Sequence, residues 1–373
     1  MKIAVYGTGD VGEYVWRMSQ KRKLPPVEIV YFVRSDKDRD SFHGIQLRAV
    51  GDISYEDFDY LVIASDLYAG EMMARLEEAR NGCERYRDKV VRYQELFPGL
   101  REGDCEKHPY QSYRVSGDLV FLARAEDRVI PHAMYYSGNT YSAENIDAFF
   151  ALTEKYYGRG AGSPESAGYF LDIGANIGTT SVYVEKRISQ SLKIIGFEPG
   201  QLNYDLFRAN CALNHTKNIR VVHFGLSDRD ETKRFHYVNT NSGGSSIIDM
   251  EEPESGGEAA EVRRLDGYLS GRRISPGEVK YIWMDAEGYE SKIIAGAMET
   301  LRAAKIPLLQ EFNPGAYAGQ NMLETYYRNI REIYGHFISL ADRRARIETV
   351  YPISKLPDYA ESMREAHEDL FLF

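Results

Sequence analysis

The feature that most constrains this chain is an apolar strand that runs into a glycine-rich turn and then into a helical pattern, and it occurs twice. Lys2-Ile-Ala-Val-Tyr6 leads into Gly7-Thr-Gly9-Asp-Val-Gly12, and Tyr169-Phe-Leu-Asp-Ile173 leads into Gly174-Ala-Asn-Ile-Gly178. A buried strand, a tight turn and a helix form the nucleus of an α/β domain. Two such openings in 373 residues predict two domains.

After the first opening, helices are predicted at 11–20 and 71–77, and strands at 27–33 and 60–64, giving a small Rossmann-type unit over residues 1–98. Residues 99–168 read as a connecting and entry segment that packs on the second domain or lids it. That segment holds a strand near 119–123, a helix over 143–157 and a glycine-rich loop over 158–166. Residues 169–373 alternate regularly. Strands are expected at 169–173, 193–198, 219–225, 279–285, 306–312, 335–340 and 345–351, with helices at 178–188, 201–213, 289–303 and 321–333. That alternation predicts a mostly parallel sheet covered on both faces. Between 227 and 278 lies a polar insert, with a Gly/Ser/Asn loop at 239–246 and an acidic run at 249–254. Such a loop is either a binding loop or a flexible tip.

Composition narrows the setting. A hydrophobic share of 43% lets the chain bury cores without crosslinks. Cys83, Cys105 and Cys211 are few, scattered and odd in number, which opposes a disulfide or zinc scaffold and suits a cytoplasmic protein. No apolar run approaches 18 residues, so neither a membrane span nor a signal peptide is expected. The net charge of -10 opposes nucleic-acid binding. The basic runs Lys21-Arg22-Lys23 and Arg343-Arg344 are short enough to be solvated helix ends. Oligomeric state is not legible.

The second turn sits where a parallel sheet binds ligands, at the carboxyl ends of its strands. About 20 residues on, the next strand ends in Phe197-Glu198-Pro199, and a carboxylate there can accept from both hydroxyls of a ribose. That pairing fits a dinucleotide and S-adenosylmethionine alike. Asp172 separates them, because a carboxylate beside the turn repels pyrophosphate and suits an amino group and a sulfonium. Asn176 adds a neutral donor and acceptor, and Gly174 and Gly178 let the backbone approach the ligand. Asp228, in Gly225-Leu-Ser-Asp228, either reaches the adenine edge or caps its own turn.

Asp172-Ile-Gly-Ala-Asn-Ile-Gly178, Phe197-Glu-Pro199, Gly225-Leu-Ser-Asp228, Arg264-Leu-Asp266, Asp285-Ala-Glu-Gly-Tyr-Glu290 and Glu311 resemble, in order, the motifs of the FkbM family of methyltransferases. The resemblance covers about residues 165–315 and extends to the terminal Asp369-Leu-Phe. It implies a class I methyltransferase fold with a seven-stranded sheet, and O-methylation of a hydroxyl on a sugar, glycan or related small molecule. Trp283-Met284 departs from the family, which tends to carry a Lys and a small apolar residue there.

Methyl transfer requires an aligned acceptor oxygen and a base for its proton. Asp285 and Glu287 follow one strand, and Glu311 and Asn313 follow the next, so three carboxylates are expected to converge as the catalytic group. Like charges that close need a shared proton, a basic side chain or a cation. Asp285, Glu311 and Asn313 could hold Mg2+, or Glu287 or Glu311 could act as a metal-free base. His215 and His223 are left outside the site, and Glu290 is read as a favourable charge at a helix start.

In the N-terminal unit, Gly7, Gly9 and Gly12 have the context of a dinucleotide turn. The next strand ends in Arg34 rather than an acid, with Asp36 placed late, and Arg34 suits a 2′-phosphate. No hydride-transfer partner follows. The unit is therefore expected to bind a nucleotide or to serve as a scaffold. Two further functional readings stay open: an NAD(P)-dependent oxidoreductase or epimerase centred on this unit, and a non-catalytic binding protein with two inherited folds.

Overall fold

The structure, a computed structural model, describes residues 1–20, 27–35, 40–65, 68–79, 88–96, 109–158, 167–248, 257–344, 348–363 and 367–373. Lys21-Arg22-Lys23, Asp36, Cys83, Cys105, the expected boundary at Pro98, the acidic run at 249–254 and most of the 158–166 loop lie outside the described residues. The chain divides into two compact units: Met1–Asp104 with His132–Asn139, and Cys105–Pro131 with Thr140–Phe373.

The first unit is built on a six-stranded sheet in the order 41–42, 45–49, 28–34, 2–6, 60–63, 90–92. All its pairings are parallel except the one between the first two strands. Side chains alternate across the central strand, as strand geometry requires. Ile3 and Val5 pack with Tyr14 and Val15 of helix Asp10–Gln20. Ala4 and Tyr6 pack with Ala69, Met72 and Leu76 of helix Ala69–Ala79. The sequence missed the strands at 45–49 and 90–92, whose short segments are only partly buried.

The second unit carries an eight-stranded sheet in the order 219–222, 193–197, 169–173, 279–284, 308–312, 368–372, 336–339, 351–352. The first five strands run parallel. Glu368–Leu372 enters antiparallel between Leu308–Phe312 and His336–Ser339. It was absent from the expected strands, yet Leu370, Phe371 and Leu372 are fully buried. Of the strand expected at 345–351, the described residues form Tyr351–Pro352 on the sheet edge, and the unexpected Glu368–Leu372 makes eight strands rather than seven.

Leu171, Ile173, Ile195, Phe197, Ile282 and Met284 share one large core with the segments 265–271, 290–301 and 326–333. On the other face, Phe149 and Phe150 of helix Ala143–Tyr157 meet Phe170, Tyr281 and Trp283. Within the polar insert, the described residues include regular strands. Residues 231–236, 246–248 and 258–263 form a small sheet with Gly225–Leu226. Its inward residues include Ala260 and Val262, an alternation too weakly apolar to read as a strand.

Candidate active site

Two adjoining clefts lie at the carboxyl ends of the parallel strands, with about 480 and 460 Å³ of space that is partly open to solvent. Gly174, Asn176, Gly243, Asp285 and Glu287 line both. Glu198, Pro199, Leu226 and Tyr289 belong to the larger cavity, and Tyr141, Ser142, Thr180 and Trp283 to the smaller. Trp283, where the sequence departs from the FkbM pattern, is thus a wall of the site and not merely core.

The glycine turn is fixed by close approach. Gly174 has φ +82°, and a Cβ there would lie 1.8 Å from the Asp285 carbonyl oxygen. Gly178, at φ +83°, faces the Phe207 ring, so it shapes the turn without lining a cavity. Asn176 is left-handed at φ +49° and donates its backbone N–H to Glu198 Oε2 at 2.8 Å. Its Oδ1 is buried without a hydrogen-bond partner among the described residues.

Glu198 is buried, accepts a second bond from the Gly200 N–H at 2.8 Å and faces the larger cavity. Burial pushes its carboxyl up to about 7 against the pull of those donors. Asp172 departs from expectation. Strand alternation turns it away from the cavity, onto the following helix, where it accepts from Ser181 Oγ at 2.5 Å. It lines neither cavity, and burial raises its carboxyl to about 7. Asp228 also lines neither cavity, and its carboxylate accepts from Ser227 Oγ at 3.1 Å and from Arg229 at 3.2 Å.

The carboxylates converge. Asp285, Glu287 and Glu311 offer oxygens within 4.8 Å of one another. Asp285 is held well above the usual carboxylate range, first by burial and then by Glu311 and Glu287. Glu287 is raised to about 7 by burial and Glu311. Its backbone sits at φ +52°, a costly conformation for a residue with a long side chain. Glu311 stands behind them, lining neither cavity. One of its oxygens bonds His367 Nδ1, and Oε2 is buried without a partner among the described residues.

Asn313 has a structural duty as well, because its Oδ1 accepts from the Ala316 N–H at 3.0 Å and caps helix Pro314–Gly319. Glu290 is more than a charge at a helix start. Its Oε1 accepts from the Ala286 N–H at 2.7 Å, and its Oε2 from the Tyr317 hydroxyl at 3.1 Å, so it ties down the turn bearing Glu287. Burial raises its carboxyl to about 8. His367 was missed by the sequence. It precedes the antiparallel strand, and the bond to Glu311 lifts its imidazole to about 9. No local signal marks it, since only strand pairing brings residue 367 to residue 311.

Loop residues Ser242, Gly243, Ser245 and Ser246 cover the larger cavity. Asp127 holds that loop through the backbone N–H and hydroxyl of Ser242. The Arg128 N–H donates to the Thr240 carbonyl at 2.8 Å. The 110–124 hairpin leading to Asp127 is itself anchored. Asn210 and Asn214 each donate to and accept from its backbone, at Leu122 and Val120, so two side-chain amides imitate a strand partner.

In the N-terminal unit, a Cβ on Gly7 would lie 2.8 Å from the Ala64 carbonyl oxygen, and one on Gly12 would lie 2.3 Å from that of Gly7. Gly9 faces open space. The Tyr6 hydroxyl and Ser35 Oγ are 2.8 Å apart at the strand ends, next to Arg34.

Comparison with known proteins matches residues 172–343 to the methyltransferase FkbM domain family, and residues 1–87 to the C2185-like N-terminal family. The methyltransferase sdnD of Sordaria araneosa is 32% identical over 96 residues, which make up 26% of this chain and 37% of sdnD. The 2-O-methyltransferase NoeI of Sinorhizobium fredii is 27% identical over 168 residues, covering 40% of this chain and 65% of NoeI. The chain thus spans less than two thirds of the length of either relative. A solved FkbM methyltransferase from Methylobacillus flagellatus aligns over 100% of this chain and 90% of its own, with 12% identity and a TM-score of 0.38.

Proposed function

We propose, from the premise that residues 172–343 are an FkbM methyltransferase domain, that this chain moves a methyl group from S-adenosylmethionine to a hydroxyl of a sugar-like small molecule. The sheet order, with one antiparallel strand entering next to the last parallel one, supports reading the second unit as a class I methyltransferase fold carrying one extra edge strand.

The observation that carries the proposal is the placement of Glu287. It lines both cavities on a left-handed backbone, in a turn that Glu290 ties down. Strain of this kind persists where the surrounding structure enforces it, commonly at sites of chemistry. The larger cavity suits the donor's adenosine half. The Glu198 carboxylate would accept from ribose hydroxyls, and the unpartnered Asn176 Oδ1 would accept an N–H. When bound, S-adenosylmethionine supplies an electrophilic methyl group on a sulfonium. Glu287 takes the proton of the acceptor hydroxyl as the oxygen attacks, and Asp285 orients that hydroxyl from the same turn. Glu311, with His367 at its back, positions the pair. The serines over the larger cavity and Tyr141 and Ser142 in the smaller offer hydroxyls suited to a polyol.

A second reading is favoured by the partnerless Glu311 Oε2: Asp285, Glu287 and Glu311 would together hold Mg2+, which would supply charge neutralisation to the acceptor oxygen. Asn313, named with them from the sequence, would join through the lone pair of its Oδ1 that the capping bond leaves free. Mass spectrometry of candidate sugars and glycans incubated with labelled donor, with and without EDTA, tests both readings. Labelled product that persists in EDTA supports the metal-free base, and loss restored by added Mg2+ supports the ion. Absence of labelled product in every acceptor class, with donor bound, would sink the hydroxyl assignment.

A further inference from the structure

A separate cleft lies in the same unit but at the opposite end of the sheet, where the parallel strands begin. It spans about 910 Å³ of space, open on one side to solvent. Tyr169 and Lys193 open their strands, Lys217 and Arg220 flank the start of Ile219–Val222, and Tyr268 and Arg272 come from the helix Leu265–Gly271 and its end. Four cations thus face one cleft in a chain of net charge -10, and no carboxylate lines it.

None of the four is within salt-bridge distance of a described carboxylate. Lys193 and Arg272 rest instead over the rings of Tyr169 and Tyr268, each 5.4 Å from the ring centroid. A cation on an aromatic face keeps its hydrogen-bond donors free for an anion. Tyr268 supplies an independent pointer. Its ring packs against Phe197 and Phe224, it is 8% exposed, and its buried hydroxyl makes no well-aligned hydrogen bond among the described residues. Arg272 and Arg220 are the cations that act on that hydroxyl, and Arg220 approaches it as a hydrogen-bond donor. A guanidinium can only donate to that hydroxyl, so the hydroxyl's own proton is left for an acceptor, which a bound oxyanion would supply.

We propose that this cleft binds a small phosphate-bearing ligand, with Lys193, Lys217, Arg220 and Arg272 holding a diphosphate and the Tyr268 hydroxyl donating to one of its oxygens. The site is separate from the carboxylate cluster and does not depend on the methyl-transfer reading.

Isothermal titration of the full chain with inorganic pyrophosphate, and separately with uridine diphosphate, tests it. Saturable binding of one equivalent is expected. Replacing both Arg220→Ala and Arg272→Ala should weaken it about tenfold or more, and Tyr268→Phe, which keeps the ring, should weaken it several-fold. These side chains lie outside the proposed catalytic group, and circular dichroism checks that each variant folds. Equal affinity for the two probes would assign recognition to the phosphates alone; tighter uridine diphosphate binding would add the ring faces, and both outcomes support the site. No saturable heat with either probe, binding unchanged in the double variant, or binding only of a single-stranded RNA oligomer would overturn it.

Discussion

Glu311 has one oxygen on His367 and the other buried without a partner among the described residues, whereas Glu287 reaches the cavities directly. That difference separates their expected phenotypes. Glu287→Gln should lower kcat by about 10²–10⁴-fold, the usual worth of a general base, while leaving the affinity for S-adenosylhomocysteine within about twofold. Equal loss of both would remove it from the role of base. The two acids near the glycine turn divide in the same way. Glu198→Gln should weaken S-adenosylhomocysteine binding about tenfold, because its carboxylate faces the larger cavity. Asp172→Asn should change stability and leave that affinity nearly unaltered, since its partner is Ser181. Calorimetric titration of both variants decides, and a collapse of affinity in Asp172→Asn would restore the ligand contact read from the sequence.

At the scale of elements, the turns are held by contact more than by propensity. Gly174→Ala would drive a methyl into the Asp285 carbonyl at a left-handed φ, and it should cost more than about 2 kcal/mol in denaturant unfolding. The buried acids that brace these turns set a pH dependence of definite sign. Folded Asp172 and Glu198 titrate at about 7 and Glu290 at about 8, above the unfolded values of about 4. The native chain therefore holds protons that the unfolded chain releases. Their contribution is full below about pH 4 and is lost as pH rises through 7 and 8. His367, raised to about 9 by Glu311, acts in the same direction. The ligand-free chain should unfold at lower denaturant concentration at pH 9 than at pH 6. Glu290→Gln should flatten that difference, because the amide can keep the bonds to Ala286 and Tyr317 without a charge. A midpoint that rises between pH 6 and 9 would contradict the assignment.

For the whole molecule, the sharpest discriminator is which ligand stabilises it. At 100 times its dissociation constant a ligand adds about 2.7 kcal/mol to the stability of what it binds. S-adenosylhomocysteine should raise the melting transition of the chain. A rise with NADPH alone would move the function to the N-terminal unit and its open Gly9. Among the described residues no helix is long and apolar enough to cross a membrane.

The sequence by itself determined the two α/β nuclei, the glycine turns, the five parallel strands and the carboxylates that follow two of them, because each is written in a local run of neighbouring residues. The carboxylate cluster was legible for the same reason: adjacent parallel strands must bring their ends together. Tertiary structure decided the rest. Asp172 was turned off the cavities by strand alternation, Asp228 was paired locally, and Asn313 was made a cap as well. His367 reached Glu311 only through an antiparallel pairing across 56 residues. The serine loop became a cover because Asp127, over 100 residues away in sequence, holds it there. Side-chain direction and long-range partners depend on how distant segments pack, and spacing along the chain does not encode either.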